Sequence, residues 1–198
     1  MSSQTVSVLR TRDDRVVPVA GVYEIDGAHT SVEFVGRHLM ITKVRGRFSD
    51  VGGRITITEE PENSHVEVEI GVASLSTGND DRDAHLKSGD FFDVEQYPTI
   101  TFASTGVKPL HDNSFELVGD LTVHGTTRPV TLQVDFEGGG ASPMGDERIG
   151  FSAATEVNRE DFGLTWNVAL ETGGLLVGKT ARIELAVQAI AASTAAVA

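Results

Sequence analysis

Asp26, His29 and Ser31 lie within six positions of one another. They are the residue types of a nucleophilic triad, in which a carboxylate orients an imidazole and the imidazole takes a hydroxyl proton. A triad is defined by geometry, and no G-x-S-x-G nucleophile elbow surrounds this serine. A turn in which short polar side chains bond the nearby backbone accounts for the same three residues. Six histidines, His29, His38, His65, His85, His111 and His124, offer imidazole nitrogen, but none stands in H-x-H or H-E-x-x-H spacing. The run Asn79, Asp80, Asp81, Asp83 lacks the glycine and the terminal glutamate of a calcium loop. It suits the first turn of a helix, where side-chain oxygens cap free amides. Gly138-Gly139-Gly140 does not lead from a strand into a capped helix, so it is not a phosphate cradle. The chain has no cysteine, which excludes disulfides, thiolate metal sites and thiol nucleophiles. The sequence therefore assigns no catalytic residue, no metal ligand and no required cofactor.

The positioning elements are strands. Val66, Val68, Ile70 and Val72 alternate with His65, Glu67, Glu69 and Gly71, the period of a sheet with one buried face. Leu117-Gly119-Leu121-Val123, Val130-Leu132-Val134-Phe136, Ile149-Phe151-Ala153-Thr155 and Ile183-Leu185-Val187 repeat that pattern. Further strands fit Val32 to His38, Lys43 to Thr58 and Thr99 to Val107, about eight or nine in all. Turn-forming clusters separate them at 60–63, 109–113 and 138–145. A meander of this kind avoids free edges best by closing into a barrel. The stretch from Asn79 to Asp93 does not alternate. It predicts a short helix capped by Asn79 or Asp80, a break at Gly89 and a second turn, with Ala84, Leu86, Phe91 and Phe92 as its apolar contacts. Such an insert would cover one barrel opening. Residues 1–20 are expected to be a loosely attached arm, 21–190 the barrel, and 191–198 a frayed tail.

Of 198 residues, 39% are hydrophobic and 23% charged, which suits one globular all-β domain. A net charge of −13 argues against nucleic acid, whose phosphates need a basic surface, and disfavours docking on anionic lipid. No stretch approaches the length of an apolar membrane-spanning helix. The first residues, MSSQTVSVLRTRDDRVV, lack the apolar core of a signal peptide, so a cytoplasmic protein is expected. Periodicity alone leaves two interiors open, a solid core and a ligand tunnel.

Four ordered stretches resemble the YceI family of polyisoprenoid-binding, lipocalin-like proteins. They are YEIDGAHTSVEFVGRHLMITKVRGRF from Tyr23, DRDAHLKSGDFFDVEQYPTITF from Asp81, GDLTVHGTTRPVTLQV from Gly119, and NREDFGL from Asn158. The resemblance spans about Gly21 to Ile190. It departs at Thr30, where the family usually has serine, and at Lys179-Thr180, where it often has an acidic pair. It implies an eight-stranded antiparallel lipocalin-like barrel, closed at one end by the helical insert, with an apolar tunnel that holds an isoprenoid chain. Arg82, Asp83 and His85 would then tie the insert to the barrel loops.

On that reading, the lipid-lining residues are Val32, Phe34, Val68, Ile70, Phe91, Phe92, Ile100, Phe102, Leu121, Leu132, Val134, Phe151, Ile183, Leu185 and Val187. The expected function is non-catalytic binding, transport or storage of a long isoprenoid, an isoprenoid quinone or a similar amphiphilic lipid. An enzyme acting on such a lipid would need an ionisable pair on the inner faces, which show almost none. A filled barrel serving as an interaction domain is the third reading. The expected partner is a long apolar small molecule, and the reading allows a homodimer.

Overall fold

The computed structural model describes residues 8–170 and 175–192. The first seven residues of the expected arm and positions 193–198 of the expected tail lie outside the described residues.

Twelve strands follow in chain order: β1 (Leu9–Arg12), β2 (Arg15–Pro18), β3 (Gly21–Ile25), β4 (Ser31–His38), β5 (Thr42–Phe48), β6 (Val51–Ile57), β7 (His65–Gly71), β8 (Thr99–Pro109), β9 (Ser114–Val123), β10 (Thr126–Ala141), β11 (Glu147–Asn158) and β12 (Thr180–Ala191). Among the described residues one α-helix, α1 (Asp80–Lys87), joins β7 to β8.

β3 and β4 act as one bent strand, and β5 and β6 as its bent partner. β4 pairs with β5 from Val32↔Phe48 to His38↔Thr42, and β3 with β6 from Gly21↔Ile57 to Glu24↔Arg54. From β6 the pairing runs in chain order to β12, all antiparallel. β12 then closes the ring, pairing with β11 along its length on one side and with β3 and β4 on the other. The result is a closed eight-position antiparallel barrel. Irregular register between Phe136 and Gly138 and between Ser104 and Gly106 bends the longer strands, as closure requires.

The bend between β3 and β4 is a single 3-10 turn, Gly27–His29, with Asp26 as its cap. Gly27 is needed there, because a Cβ would stand 2.5 Å from the carbonyl oxygen of Val51 across the sheet. Thr30, the first departure from the family pattern, is buried; its hydroxyl donates to the Gln188 carbonyl and accepts from the Gln188 amide, at 3.3 and 3.2 Å. Lys179, at the second departure, pairs with Glu160 at 2.8 Å.

Several elements differ from the pattern read in the sequence. The stretch from Lys43 to Thr58 is two strands broken at Ser49-Asp50. Val72 is not the last residue of β7 but opens a 3-10 turn, Val72–Ser74, and is buried. Ala84 of α1 is solvent-exposed rather than an apolar contact. The segment 9–18, read as part of a loose arm, is a hairpin paired from Leu9↔Pro18 to Arg12↔Arg15. It docks through Val8, which is buried among Tyr23, Ile55, Phe136 and Ile149, and through an Arg10 guanidinium that donates to the carbonyls of Thr58 and Glu59. The turn at Asp13-Asp14 takes positive φ of 49° and 62°.

The strand directions sort the connections between two ends. The β1–β2 hairpin lies with the loops at 58–64, 110–113 and 142–146. α1 lies with the β4–β5 turn, the β9–β10 turn and the long connection 159–179.

Candidate functional site

The barrel interior holds a cavity of about 630 Å³ that runs between these two ends. The fifteen residues named from the sequence all line it. Val32 and Phe34 come from β4, Val68 and Ile70 from β7, Ile100 and Phe102 from β8, and Leu121 from β9. Leu132 and Val134 come from β10, Phe151 from β11, and Ile183, Leu185 and Val187 from β12. Phe91 and Phe92 come from the turn after α1. Strand geometry explains the convergence, since residues two apart share a face and one face of each barrel strand points inward.

The burial of these side chains marks the interior as empty rather than packed. Phe34, Val68, Phe102, Phe151, Ile183, Leu185 and Val187 all point inward, yet each is only half-buried. Closely packed cores leave few voids larger than a water molecule. The filled-barrel interior is therefore not what this chain builds.

At the α1 end, the helix and the turn after it pack against the barrel through polar and apolar contacts. Asn79 caps the helix by accepting from the Arg82 amide at 2.9 Å. Asp83 is buried and accepts from the Thr77 amide at 2.8 Å and from the Thr77 hydroxyl. Burial works to raise the Asp83 carboxyl, and hydrogen bonds from Thr77 and Ser76 with the Lys87 charge together outweigh it, leaving it below the usual carboxylate range. Arg82 reaches back to the Thr77 hydroxyl and carbonyl at 2.7 and 3.0 Å. Phe92 stands edge-on to Phe48 of β5, with ring centroids 6.0 Å apart, and Phe91 packs on Trp166 at 5.2 Å. Among the described residues, His85 makes no hydrogen bond to a barrel loop. Its Nε2 meets Asp90 within the insert at 3.0 Å, and its ring stands edge-on to Trp166 at 4.6 Å.

At the other end, the β1–β2 hairpin contributes Arg12, Val16, Val17 and Pro18 to the cavity wall. Phe48, Ile55, Phe136 and Phe162 also line it and were not singled out in the sequence. Phe136 carried a readable signal, the same alternation as Leu132 and Val134. Phe48 and Ile55 were obscured by the glycines at 46, 52 and 53 that interrupt the hydrophobic period.

Among the described residues, Asp26, His29 and Ser31 do not converge as a triad. His29 Nδ1 lies 2.8 Å from Asp26, but Ser31 bonds Glu33 at 3.3 Å, so the apparent triad is a turn. Arg159 is buried at the cavity wall in a 3-10 turn, Arg159–Phe162, donating to the carbonyls of Gly178 (2.9 Å) and Leu164. Burial lowers its pKa, partly offset by Glu160. Among the described residues, no three of His, Asp and Glu converge as a metal site requires.

The YceI-like domain matches residues 23–189, all but the edges of the barrel. The chain belongs to the YceI family. The relatives of this YceI barrel include a UPF0312 protein of Pseudomonas putida, 41% identical over 149 residues and covering 74% of this chain and 78% of that protein. Its fold is similar to the Campylobacter jejuni YceI protein, with a TM-score of 0.68 and 27% identity over 79% of this chain and 90% of that one. It is also similar in fold to a polyisoprenoid binding domain from Saccharophagus degradans, with a TM-score of 0.62 and 16% identity over 88% of this chain and all of that one. No described helix is long and apolar enough to cross a membrane.

Proposed function

We propose that this YceI protein is a non-catalytic carrier or store that holds one long apolar lipid, of isoprenoid or isoprenoid-quinone type, along the axis of its barrel. The observation that carries this reading is the cavity of about 630 Å³, walled almost wholly by aliphatic and phenyl side chains. Ligand pockets commonly fall in the range of roughly 300–1,000 Å³. The polyisoprenoid-binding neighbour of the same fold supports the ligand class. Burying roughly 600 Å² of lipid surface would contribute about 15 kcal/mol gross. Association costs of about 4–15 kcal/mol would offset part of that. No cofactor and no general acid–base pair enter the reading: the ion-paired groups of the wall, Arg12 with Asp13 and Glu62, sit at the hairpin end, and the strands between the two ends offer mainly apolar contact.

Native mass spectrometry of the purified chain tests it, and reads the number of protomers at the same time. The expected result is a discrete added mass that disappears on organic extraction and returns with an isoprenoid. Failure of the extracted protein to bind any isoprenoid would overturn the reading. Turnover of a bound lipid by the pure protein would replace it with an enzyme.

A further inference from the structure

The β4–β5 turn carries three consecutive apolar residues at the surface. Leu39, Met40 and Ile41 are 37%, 59% and 78% exposed. Leu39 and Met40 also take positive φ, 52° and 58°. That conformation suits glycine or asparagine and is strained for larger side chains. A hairpin needing only to reverse direction is best served by Asn-Gly or Asp-Gly. This one instead holds bulky apolar groups outward in an unfavourable backbone shape.

The charge around the tip is equally local. Between Phe34 and Ser49 stand Arg37, Lys43, Arg45 and Arg47 and no acidic residue, in a chain of net charge −13. Arg45 pairs with Glu33 and Glu184 at 2.8 and 2.6 Å. Arg37 and Lys43, which flank the tip, make no ion pair among the described residues. Cations on an exposed strand also deter edge-to-edge pairing, and β5 is such an edge, bridged on its outer side at Arg47↔Ser76. That role leaves the exposed Leu-Met-Ile tip unexplained.

The tip also adjoins the cavity. The Leu39 amide donates to the Leu176 carbonyl at 2.8 Å, and the Gly178 amide to the Arg37 carbonyl at 2.9 Å. Gly36, Val177 and Gly178 line the cavity. Val168, whose carbonyl accepts from the Leu176 amide at 3.0 Å, adds a fourth exposed apolar side chain beside the tip.

We propose that the β4–β5 tip docks this protein on an anionic phospholipid membrane, with Leu39, Met40 and Ile41 entering the interface and Arg37 and Lys43 meeting the headgroups. Apolar side chains flanked by basic residues are the composition of interfacial anchors. The net negative charge does not forbid this, because charges beyond a Debye length of roughly 8 Å are largely screened. Docking sets the α1 end of the cavity against the bilayer, from which an apolar ligand would be taken. The docking stands on the tip alone; its use for ligand loading rests on the function proposed above.

Flotation of the whole chain tests the docking, using vesicles of phosphatidylcholine alone and of phosphatidylcholine mixed with phosphatidylglycerol, at low and high salt. The expected result is flotation with the anionic vesicles that weakens with salt. Arg37→Gln with Lys43→Gln should lower partition by about tenfold or more. Met40→Asn with Ile41→Ser should lower it comparably while the fold is retained, since asparagine accepts the left-handed backbone. Both double variants should bind an isoprenoid probe in solution as the wild type does. Equal flotation with neutral vesicles, or tip variants that float like the wild type, would overturn the proposal. So would a chain that ignores vesicles and self-associates through the tip, read as a dimer that the same variants dissociate. If the wild type floats but holds no isoprenoid, the carrier reading falls and the docking stands.

Discussion

Phe102 lies over Gly119, and a Cβ placed on that glycine would stand 2.4 Å from the Phe102 Cζ and 2.6 Å from the Ala103 carbonyl oxygen. The same relationship recurs at Gly46, where a Cβ would stand 2.3 Å from Cζ of Phe34 on the paired strand. In each case a phenyl ring from one strand covers the bare backbone of the next. Two of the largest cavity-lining side chains are thereby held against the wall rather than across the lumen.

Gly119→Ala should therefore destabilise the protein even though alanine is otherwise better than glycine in a strand. The Phe102 ring can rotate away into the cavity, but the Ala103 backbone cannot. The expected loss is about 1–3 kcal/mol, the usual cost of overpacking. Urea denaturation of the lipid-free variant measures it. Ligand affinity should fall as well, because the displaced ring occupies the lumen.

Acid should unfold the protein partly through Asp26. Burial works to raise that carboxyl, but hydrogen bonds from Arg148, His29 and the Ala28 amide outweigh it, and Asp26 titrates below the usual carboxylate range. Its Oδ2 accepts from Arg148 at 2.6 Å and meets His29 Nδ1 at 2.8 Å. A carboxyl depressed in the folded state stabilises above its unfolded pKa, and that contribution is lost as pH falls through the folded value. The loss should set in below about pH 4. Asp26→Asn should be less stable than the wild type at neutral pH and show a shallower decline in acid. Denaturant midpoints taken across that pH range decide it; parallel curves for the two proteins would exclude Asp26 as a contributor.

These two cases show what a linear reading reaches and what it misses. The alternation of Val68 with Glu67 and Glu69 is a local property, and so is that of Leu185 with Glu184 and Ala186, which is why the inward faces could be found without coordinates. The β1–β2 hairpin was illegible because its strands are four residues long and rich in arginine. Its turn is Asp-Asp rather than a glycine-bearing pair, and its docking rests on a buried valine, Val8, and on Arg10 bonds to the distant carbonyls of Thr58 and Glu59. The emptiness of the barrel is a sum over the whole ring, and no single strand encodes it. The bend between β3 and β4 depends on Gly27 meeting Val51, residues joined only by the fold.

The insert over the α1 end should depend on Asp83 more than on its helix cap. Asp83→Ala removes the single carboxylate oxygen that accepts from both the amide and the hydroxyl of Thr77. Losing two hydrogen bonds to a charged carboxylate, from a half-buried residue, costs about 1–3 kcal/mol. Asn79→Ala loses a solvent-exposed cap worth about 1 kcal/mol. Amide exchange from Arg82 to Lys87 should quicken in both variants, and further in Asp83→Ala. Ligand release should quicken in the same order if the insert gates that end, which stopped-flow displacement of a fluorescent isoprenoid would measure.

Leu185 separates a cavity from a core most directly. It sits on β12 opposite Val32 of β4 and Ala153 of β11, points inward, and is only half-buried because the lumen beside it is open. In a close-packed core, Leu185→Trp would cost roughly 1–3 kcal/mol through overpacking. Here the indole has space to enter, so the lipid-free variant should melt close to the wild type. The same ring would occupy volume that a ligand needs, so isoprenoid binding should fall strongly. Ligand that binds only the folded state stabilises it in proportion to the logarithm of its concentration over its dissociation constant. Adding isoprenoid should therefore raise the melting temperature of the wild type and leave that of the variant almost unmoved. A lipid-free variant that melts far below the wild type yet keeps wild-type binding would place Leu185 in a packed wall away from the ligand path.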